Sequence, residues 1–169
     1  MKLKKISSKA DLSVKDSSEG YLINAPEKEA RRIIESLKQK KSNKIIAILG
    51  RDDAFNRRAI ETLKINYLFS PELGDRKDTL KQRDSGLNHV LAKLAKEKGI
   101  QIVIDFDEVS KLKGKEKALR IARVIQNIKI CRKAKCGIKI IGNAEEKELK
   151  TFGTSLGMSS PQTANCCNF

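Results

Sequence analysis

Short apolar runs alternate with helix-like segments along most of this chain, and this alternation limits its possible folds more than any other feature. The runs lie at residues 45–49, 65–69, 100–106 and 138–141, and such continuous apolar stretches are typical of strands buried on both faces. A strand–helix–strand order favours a parallel sheet with helices outside it. The sequence therefore predicts an α/β fold, either a partial, TIM-barrel-like structure or a doubly wound sheet.

Apolar spacing predicts two of the helices most clearly. Residues 26–40 carry apolar side chains at i, i+3, i+4 and i+7, and this is the pattern of an amphipathic helix. The longest predicted helix covers residues 115–134. Its predicted buried face consists of Ala118, Ile121, Ala122, Ile125 and Ile128, and its predicted solvent face of Arg120, Arg123 and Asn127.

Two predicted helices have side chains near their starts that can act as N-caps. Asp52 or Asp53 is expected to begin a helix after the first run. Asp84 or Ser85 is expected to begin another, with Val90 among its inward-facing residues. Residues 1–20 are rich in lysine, serine and aspartate, which predicts a basic flexible tail before a single barrel-like domain at 21–169.

The net charge points to a polyanionic partner. The 169 residues carry 36 lysines and arginines against 21 acidic residues, a net charge of +15. Twelve basic and four acidic residues lie after residue 112, so this third carries the largest excess. Because neutralising phosphates releases counterions, nucleic acid is the leading class of partner. A membrane surface is second, and no apolar run is long enough to span a bilayer.

The cysteine and histidine content argues against a metal site. The four cysteines do not form Cys-x-x-Cys pairs, and His89 is the single histidine. Unpaired cysteines and the lack of an apolar segment behind the basic N-terminus predict a cytoplasmic protein with no cofactor of its own.

Polar residues at the ends of the predicted strands allow an enzymatic alternative. Asp105 and Asp107 could act as metal ligands or as acid and base, with Arg51 or Arg57 holding a phosphate. However, Asp and Asn are common at strand-to-helix turns because they cap helices, and this explanation is favoured. No phosphate-binding glycine loop is present.

Basic side chains give a stronger prediction than the carboxylates. Arg57 and Arg58 lie early in a predicted helix, and further basic residues lie in the loop before residue 86 and along the longest helix. A phosphate-contacting surface is favoured over a merely solvated one. The candidates for RNA or partner contact are Arg51, Arg57, Arg58, Lys81, Arg83, Asn88, His89, Arg120, Arg123, Arg132 and Lys133.

Several segments resemble, in order, the archaeal ribonuclease P protein component 3 family, which is related to the eukaryotic thirty-kilodalton subunit. The most specific is KQRDSGLNHVLA at 81–92, and the others are NRRAIE at 56–61, SPE at 70–72, NIKICRK at 127–133, IIGNA at 140–144 and LGM at 156–158. The resemblance covers about residues 21–167. The stretch before it leaves little room for the early strands of the family's barrel.

The resemblance implies a barrel-like fold and a role in removing the 5′ leader from precursor tRNA. In that family the RNA subunit performs the hydrolysis with magnesium, and the protein is a non-catalytic subunit of the endonuclease. The implied partners are ribonuclease P RNA, precursor tRNA indirectly, and protein component 2. The motif match marks Arg57, Arg83, Asn88 and His89 for contact with RNA or a partner.

Two other functions stay open at this point. One is a small barrel-type, metal-dependent phosphoesterase that uses Asp105 and Asp107. The other is a general structured-RNA-binding protein with no defined partner.

Overall fold

The fold is described from a computed structural model, which covers residues 3–12, 17–40, 43–74, 76–79, 83–164 and 166–168. It contains seven strands: β1 Leu3–Ile6, β2 Gly20–Ile23, β3 Ile45–Leu49, β4 Tyr67–Phe69, β5 Gln101–Asp105, β6 Ile138–Gly142 and β7 Cys167–Asn168. The helices are α1 Glu27–Gln39, α2 Asp53–Thr62, α3 His89–Glu97, α4 Phe106–Lys111, α5 Gly114–Ala134, α6 Glu146–Ser155 and α7 Ser160–Thr163.

The strands form one sheet in which every neighbouring pair is parallel and the spatial order follows the chain from β1 to β7. A doubly wound sheet requires the strand order to reverse, so this order excludes it. Successive right-handed crossovers in one direction place the helices on one face, and the sheet curls with its other face inward. The partial TIM-barrel-like fold is confirmed.

The two faces of the sheet belong to two separate apolar clusters. A small cluster of Ala47, Phe69, Val103 and Ile141 lies on the inner, concave face. The alternate residues of the same strands, such as Ile48 and Leu68, join the larger cluster that packs under the helices. Because both faces are apolar, the strands show as continuous apolar runs in the sequence.

Residues 3–6 differ from the flexible tail predicted for residues 1–20. They form β1, which pairs with β2 over four residues, and Ile6 is 1% exposed. The two early strands were missed because β1 has two lysines among its four residues and β2 is equally short. Their pairing partners are distant in sequence, so no local pattern reveals them.

The buried face of the long helix α5 is rotated from the predicted one, and Ile128 is the predicted residue that is fully buried. Its buried residues are Val124, Asn127, Ile128, Cys131 and Ala134, whereas Ala118 is exposed and Ile121 and Ile125 are half-buried. The helix has apolar residues on more than one side, so periodicity alone does not select the buried face. Asn127, predicted to face solvent, is fully buried.

Helix α3 starts later than predicted. Asn88 caps it by accepting a 2.9 Å hydrogen bond from the backbone N–H of Leu91, so neither Asp84 nor Ser85 is the cap. Leu91, Ala92 and Ala95 form the buried face of the helix, and Val90 lies outside it and is 72% exposed. The predictions for α1 and for the Asp52 cap of α2 are confirmed, since Asp52 accepts from the Phe55 N–H at 2.7 Å.

Candidate nucleic-acid interface

A groove of about 860 Å³ lies between α2, the segment that follows β4, and the start of α3. It brings together four of the predicted contact residues, Arg57, Arg58, Arg83 and Asn88. The residues that line it with charged side chains are Asp53, Arg57, Arg58, Glu61, Lys77, Arg83 and Asp84. The groove therefore joins basic residues separated by up to 26 positions in the sequence.

Helix α2 supplies the two arginines on one wall. Phe55, Asn56, Ala59 and Ile60 are buried, which leaves the intervening Arg57 and Arg58 on the outer face. The Arg57 side chain is 67% exposed and donates to Glu61 at 2.7 Å. Arg58 is 49% exposed and pairs with Glu27 of α1. Such exposed pairs contribute little to stability, so a phosphate can replace the carboxylate at small cost.

The opposite wall is held in place by the fully buried side chain of Asn56. Its Nδ2 donates to the carbonyl oxygens of Pro71 at 3.0 Å and Gly86 at 3.1 Å, and its Oδ1 accepts from the Arg51 N–H. Gly86 has a φ of 72°, and a Cβ there would lie 1.8 Å from the Pro71 oxygen. Only glycine fits this close approach, so the wall depends on that residue.

Arg76 connects the turns around the groove from the inside. Its side chain is only 2% exposed and donates to the carbonyl oxygens of Leu73 at 2.9 Å and Pro71 at 2.5 Å, and also to that of Arg51. It also pairs with Asp84 at 3.0 Å and with Asp53. The contacts of Arg76 thus stabilise the turns around the groove, although in the sequence it belongs to a loop rich in basic residues.

Arg123, predicted to face solvent from α5, instead binds Asp78. The Arg123 side chain is 12% exposed, and its Nη2 lies 3.1 Å from Asp78 Oδ2. Burial by itself raises the pKa of Asp78, but the hydrogen bond from Arg123, the Asp84 N–H and the nearby arginine charges outweigh it. The pKa of Asp78 is therefore below its ordinary value, and the pair holds α5 to the segment before the groove.

Arg120 is also turned inward. Its side chain is 12% exposed, and its Nη1 lies 3.7 Å from Glu108 and 4.0 Å from the fully buried Glu72. Burial raises the pKa of Glu72 to about 7, although the charge of Arg120 opposes this rise. The sequence singled out neither the ion pairs of Arg120 nor the burial of Glu72, because both depend on contacts distant along the chain.

The remaining predicted residues lie outside the described lining of the groove. Arg51 donates to Asn24 at 3.0 Å and lies over the Phe55 ring. His89 is half-buried at the start of α3. Arg132 and Lys133 are exposed near the end of α5, where Arg132 contacts the Gly157 oxygen. Lys81 lies outside the residues that the structure describes.

The two carboxylates of the enzymatic alternative are engaged in backbone contacts. Asp105 caps α4 by accepting from the Glu108 N–H at 3.1 Å. Asp107 accepts from the backbone N–H and the side-chain amide of Asn143. The capping interpretation therefore accounts for Asp105, whereas Asp107 ties the start of α4 to the turn after β6. Over the described ranges, no group of three His, Cys, Asp or Glu side chains is placed to hold a metal ion.

No described helix combines the length and apolar character needed to cross a membrane.

Comparisons with known proteins find relatives that carry the name of the family that the motifs resemble. The chain is 33% identical to ribonuclease P protein component 3 of Methanocaldococcus jannaschii over 103 residues, 61% of this chain and 41% of the relative. It is 27% identical to the component 3 protein of Thermococcus gammatolerans over 144 residues, 81% of this chain and 64% of the relative. No family model matches the sequence.

The fold has a solved counterpart. A chain in the cryo-EM structure of archaeal ribonuclease P with mature tRNA matches with a TM-score of 0.64 and 26% identity, covering 82% of this chain and 61% of that one. The chain thus spans less than two thirds of the length of these relatives. The predicted resemblance is confirmed: this chain is similar in sequence to archaeal ribonuclease P protein component 3 and in fold to a chain of an archaeal ribonuclease P.

Proposed function

We propose that this chain is a non-catalytic protein subunit of ribonuclease P, the RNA-based endonuclease that removes the 5′ leader from precursor tRNA. It supports the catalytic RNA in the cytoplasm together with a second protein, component 2. Magnesium acts at the RNA subunit, and this chain contributes binding. The proposal draws on the relatives' names and on the solved complex with tRNA.

The observation that carries the proposal is the groove. Arg57, Arg83 and Asn88 come from two separate motifs of the resemblance, and the fold brings them to one surface. Arg58 and Lys77 add two further cations there. With few aromatic side chains in the whole sequence, recognition rests on the phosphate backbone and on RNA shape rather than on base stacking.

The carboxylates in the same groove affect how RNA binds. Asp53, Glu61 and Asp84 partly balance the four cations when RNA is absent. A phosphate must therefore displace Glu61 from Arg57 and Glu27 from Arg58. An ion pair at an exposed position is worth little free energy, whether the anion is a carboxylate or a phosphate. Each exchange therefore adds only a modest amount of affinity. Binding then depends on several contacts acting together and weakens steeply with salt.

The test is reconstitution of precursor-tRNA cleavage with the cognate RNA and component 2. The triple variant R57A/R58A/R83A is compared with K28A/K38A/K40A, which removes three exposed charges from α1 and its end. The groove variant is expected to lose about 10- to 100-fold in RNA affinity and to flatten the salt dependence by about two to three phosphate contacts. The α1 variant should stay close to the parent protein.

Three outcomes would overturn the proposal. Cleavage by the protein without RNA would favour the phosphoesterase, and D105N would then abolish turnover. Equal binding to unrelated structured RNAs, with no gain in holoenzyme activity, would favour a general RNA-binding protein. Equal losses in both triple variants would show that total charge, rather than the groove, determines binding.

A further inference from the structure

Three buried polar atoms without hydrogen-bond partners among the described residues belong to one cluster beside the groove. They are Glu72 Oε1, Arg120 Nη1 and Asn127 Oδ1. Glu72 follows β4, whereas Arg120 and Asn127 lie two turns apart on α5. Buried polar groups normally find partners, so three unpartnered atoms in contacting residues require an explanation.

The contacts within the cluster fix which atoms face the remaining space. Asn127 Nδ2 donates to the Ser85 carbonyl oxygen at 3.1 Å and to Glu72 Oε2 at 3.4 Å. The Ser85 carbonyl can only accept, so the amide cannot be reversed, and its oxygen is directed away from Ser85. Arg120 Nη1 and Glu72 Oε1 are 4.0 Å apart, too far for a direct hydrogen bond.

A single water molecule satisfies these requirements. Two atoms 4.0 Å apart can both lie about 2.8 Å from one water oxygen, the usual O···O and N···O distance. Such a water would accept a hydrogen bond from Arg120 Nη1 and, while Glu72 is protonated, a second one from its Oε1 hydroxyl, which leaves the hydrogens of the water available to Asn127 Oδ1. A cation is disfavoured by the guanidinium, and an anion by the acidic side chain.

We propose that Glu72, Arg120 and Asn127 enclose a bound water molecule, and that this hydrated cluster holds residues 83–88, and with them one wall of the groove, against α5. The link to the wall is the bond from Asn127 to the Ser85 oxygen. The three residues are positioning residues for Arg83 and Asn88. Their importance for RNA rests on the proposed function, whereas the cluster itself does not.

The charges around Glu72 make this arrangement sensitive to pH. Arg120 on α5, Glu108 on α4 and Arg76 in the segment after β4 are the charged groups that act on it. Opening residues 83–88 away from α5 admits water to Glu72 and returns its pKa towards the ordinary range. Ionisation then favours the open form, so opening should increase as the pH rises.

Hydrogen exchange of the Asp84 and Gly86 amides tests the cluster without RNA. Both amides are hydrogen-bonded, to Asp78 and to the Asp84 side chain respectively. After correction for intrinsic exchange, their opening in the parent protein is expected to increase roughly 10- to 100-fold between pH 5 and pH 8. E72Q keeps the side-chain shape but cannot ionise, so its opening should be independent of pH. E35Q, an exposed replacement on α1, should behave like the parent.

The second variant and a direct observation complete the test. N127L removes the bond to Ser85 and should increase opening of 83–88 at every pH, while α1 amides stay unchanged. A high-resolution crystal structure should show water density between Arg120 and Glu72. A direct Arg120–Glu72 hydrogen bond, or identical exchange in the parent protein and E72Q, would overturn the proposal. Because RNA is not involved, these results are independent of whether the groove binds it.

Discussion

Exposed and buried arginines lie around the same groove, and their roles differ. Arg57 and Arg83 have side chains that are 67% and 46% exposed and lie within reach of a ligand. Arg76 and Arg123 are 2% and 12% exposed and bind carbonyl oxygens or carboxylates of the chain itself. The lysines and arginines that give the net charge of +15 therefore include both exposed side chains in the groove and buried ones that support the chain itself.

The physical basis is the cost of burying charge. Each N–H group of a buried guanidinium needs a hydrogen-bond acceptor. Removing the side chain therefore leaves the carbonyl and carboxylate oxygens that accepted those bonds unsatisfied. An exposed guanidinium keeps water as its alternative partner, so its removal has little effect on stability. Variants of the two sets should therefore separate stability from binding.

The largest effect is expected for R76A. The substitution removes the donor to the carbonyl oxygens of Pro71, Leu73 and Arg51 and leaves Asp84 without its buried partner. We expect the free energy of unfolding to fall by about 3–5 kcal/mol in urea denaturation. R83A is the control and should change it by less than about 0.5 kcal/mol. Equal losses for both variants would invalidate the division into two sets.

The second prediction concerns E72Q and the pH dependence of stability. The pKa of Glu72 is raised to about 7 by burial, so the folded state holds this proton more tightly than the unfolded state. This contribution is complete at low pH and is lost as the pH rises from about 4.5 to about 7. The free energy of unfolding of E72Q relative to the parent should increase over that interval by on the order of 2–3 kcal/mol. If urea denaturation gave a difference in the free energy of unfolding between E72Q and the parent that did not change with pH, the pKa of Glu72 would not be raised in the folded state.

A smaller effect is expected for R57A alone. Removing one phosphate contact should weaken RNA binding by about 1 kcal/mol at moderate salt and reduce the salt slope by about one. Thermal unfolding should be almost unchanged, because the pair with Glu61 is exposed. Filter binding over a range of salt concentrations measures both quantities. An unchanged salt slope would remove Arg57 from the interface.

The smallest effect is expected for R132A. Arg132 is exposed on α5 and contacts only the Gly157 oxygen at 3.4 Å among the described residues, and it does not line the groove. Its removal should change both stability and RNA affinity by less than about 0.5 kcal/mol. A loss of affinity as large as that of R57A would identify a second RNA-contacting surface at the end of α5.

Local sequence patterns predict much of the architecture. The continuous apolar runs predicted β3 to β6, and the spacing of Ala30, Ile33, Ile34 and Leu37 predicted α1 and its buried face. The ordered motifs indicated the family resemblance and marked Arg57, Arg83 and Asn88, which lie in one groove. These features are local, because they depend on side-chain period, capping and residue order.

Long-range contacts, which no local pattern reveals, determine which arginines face solvent, which side of α5 is buried, and that residues 3–6 form a strand. Arg120 and Arg123 have no local signal for burial, since Glu72 and Asp78 lie more than forty residues away and Glu108, the other partner of Arg120, lies on a different helix. Helix α5 carries apolar residues on competing faces, and packing against α3 and the segment after β4 selects one of them. The physical reason is that periodicity defines the faces of a helix, whereas long-range contacts decide which face and which charges are removed from water.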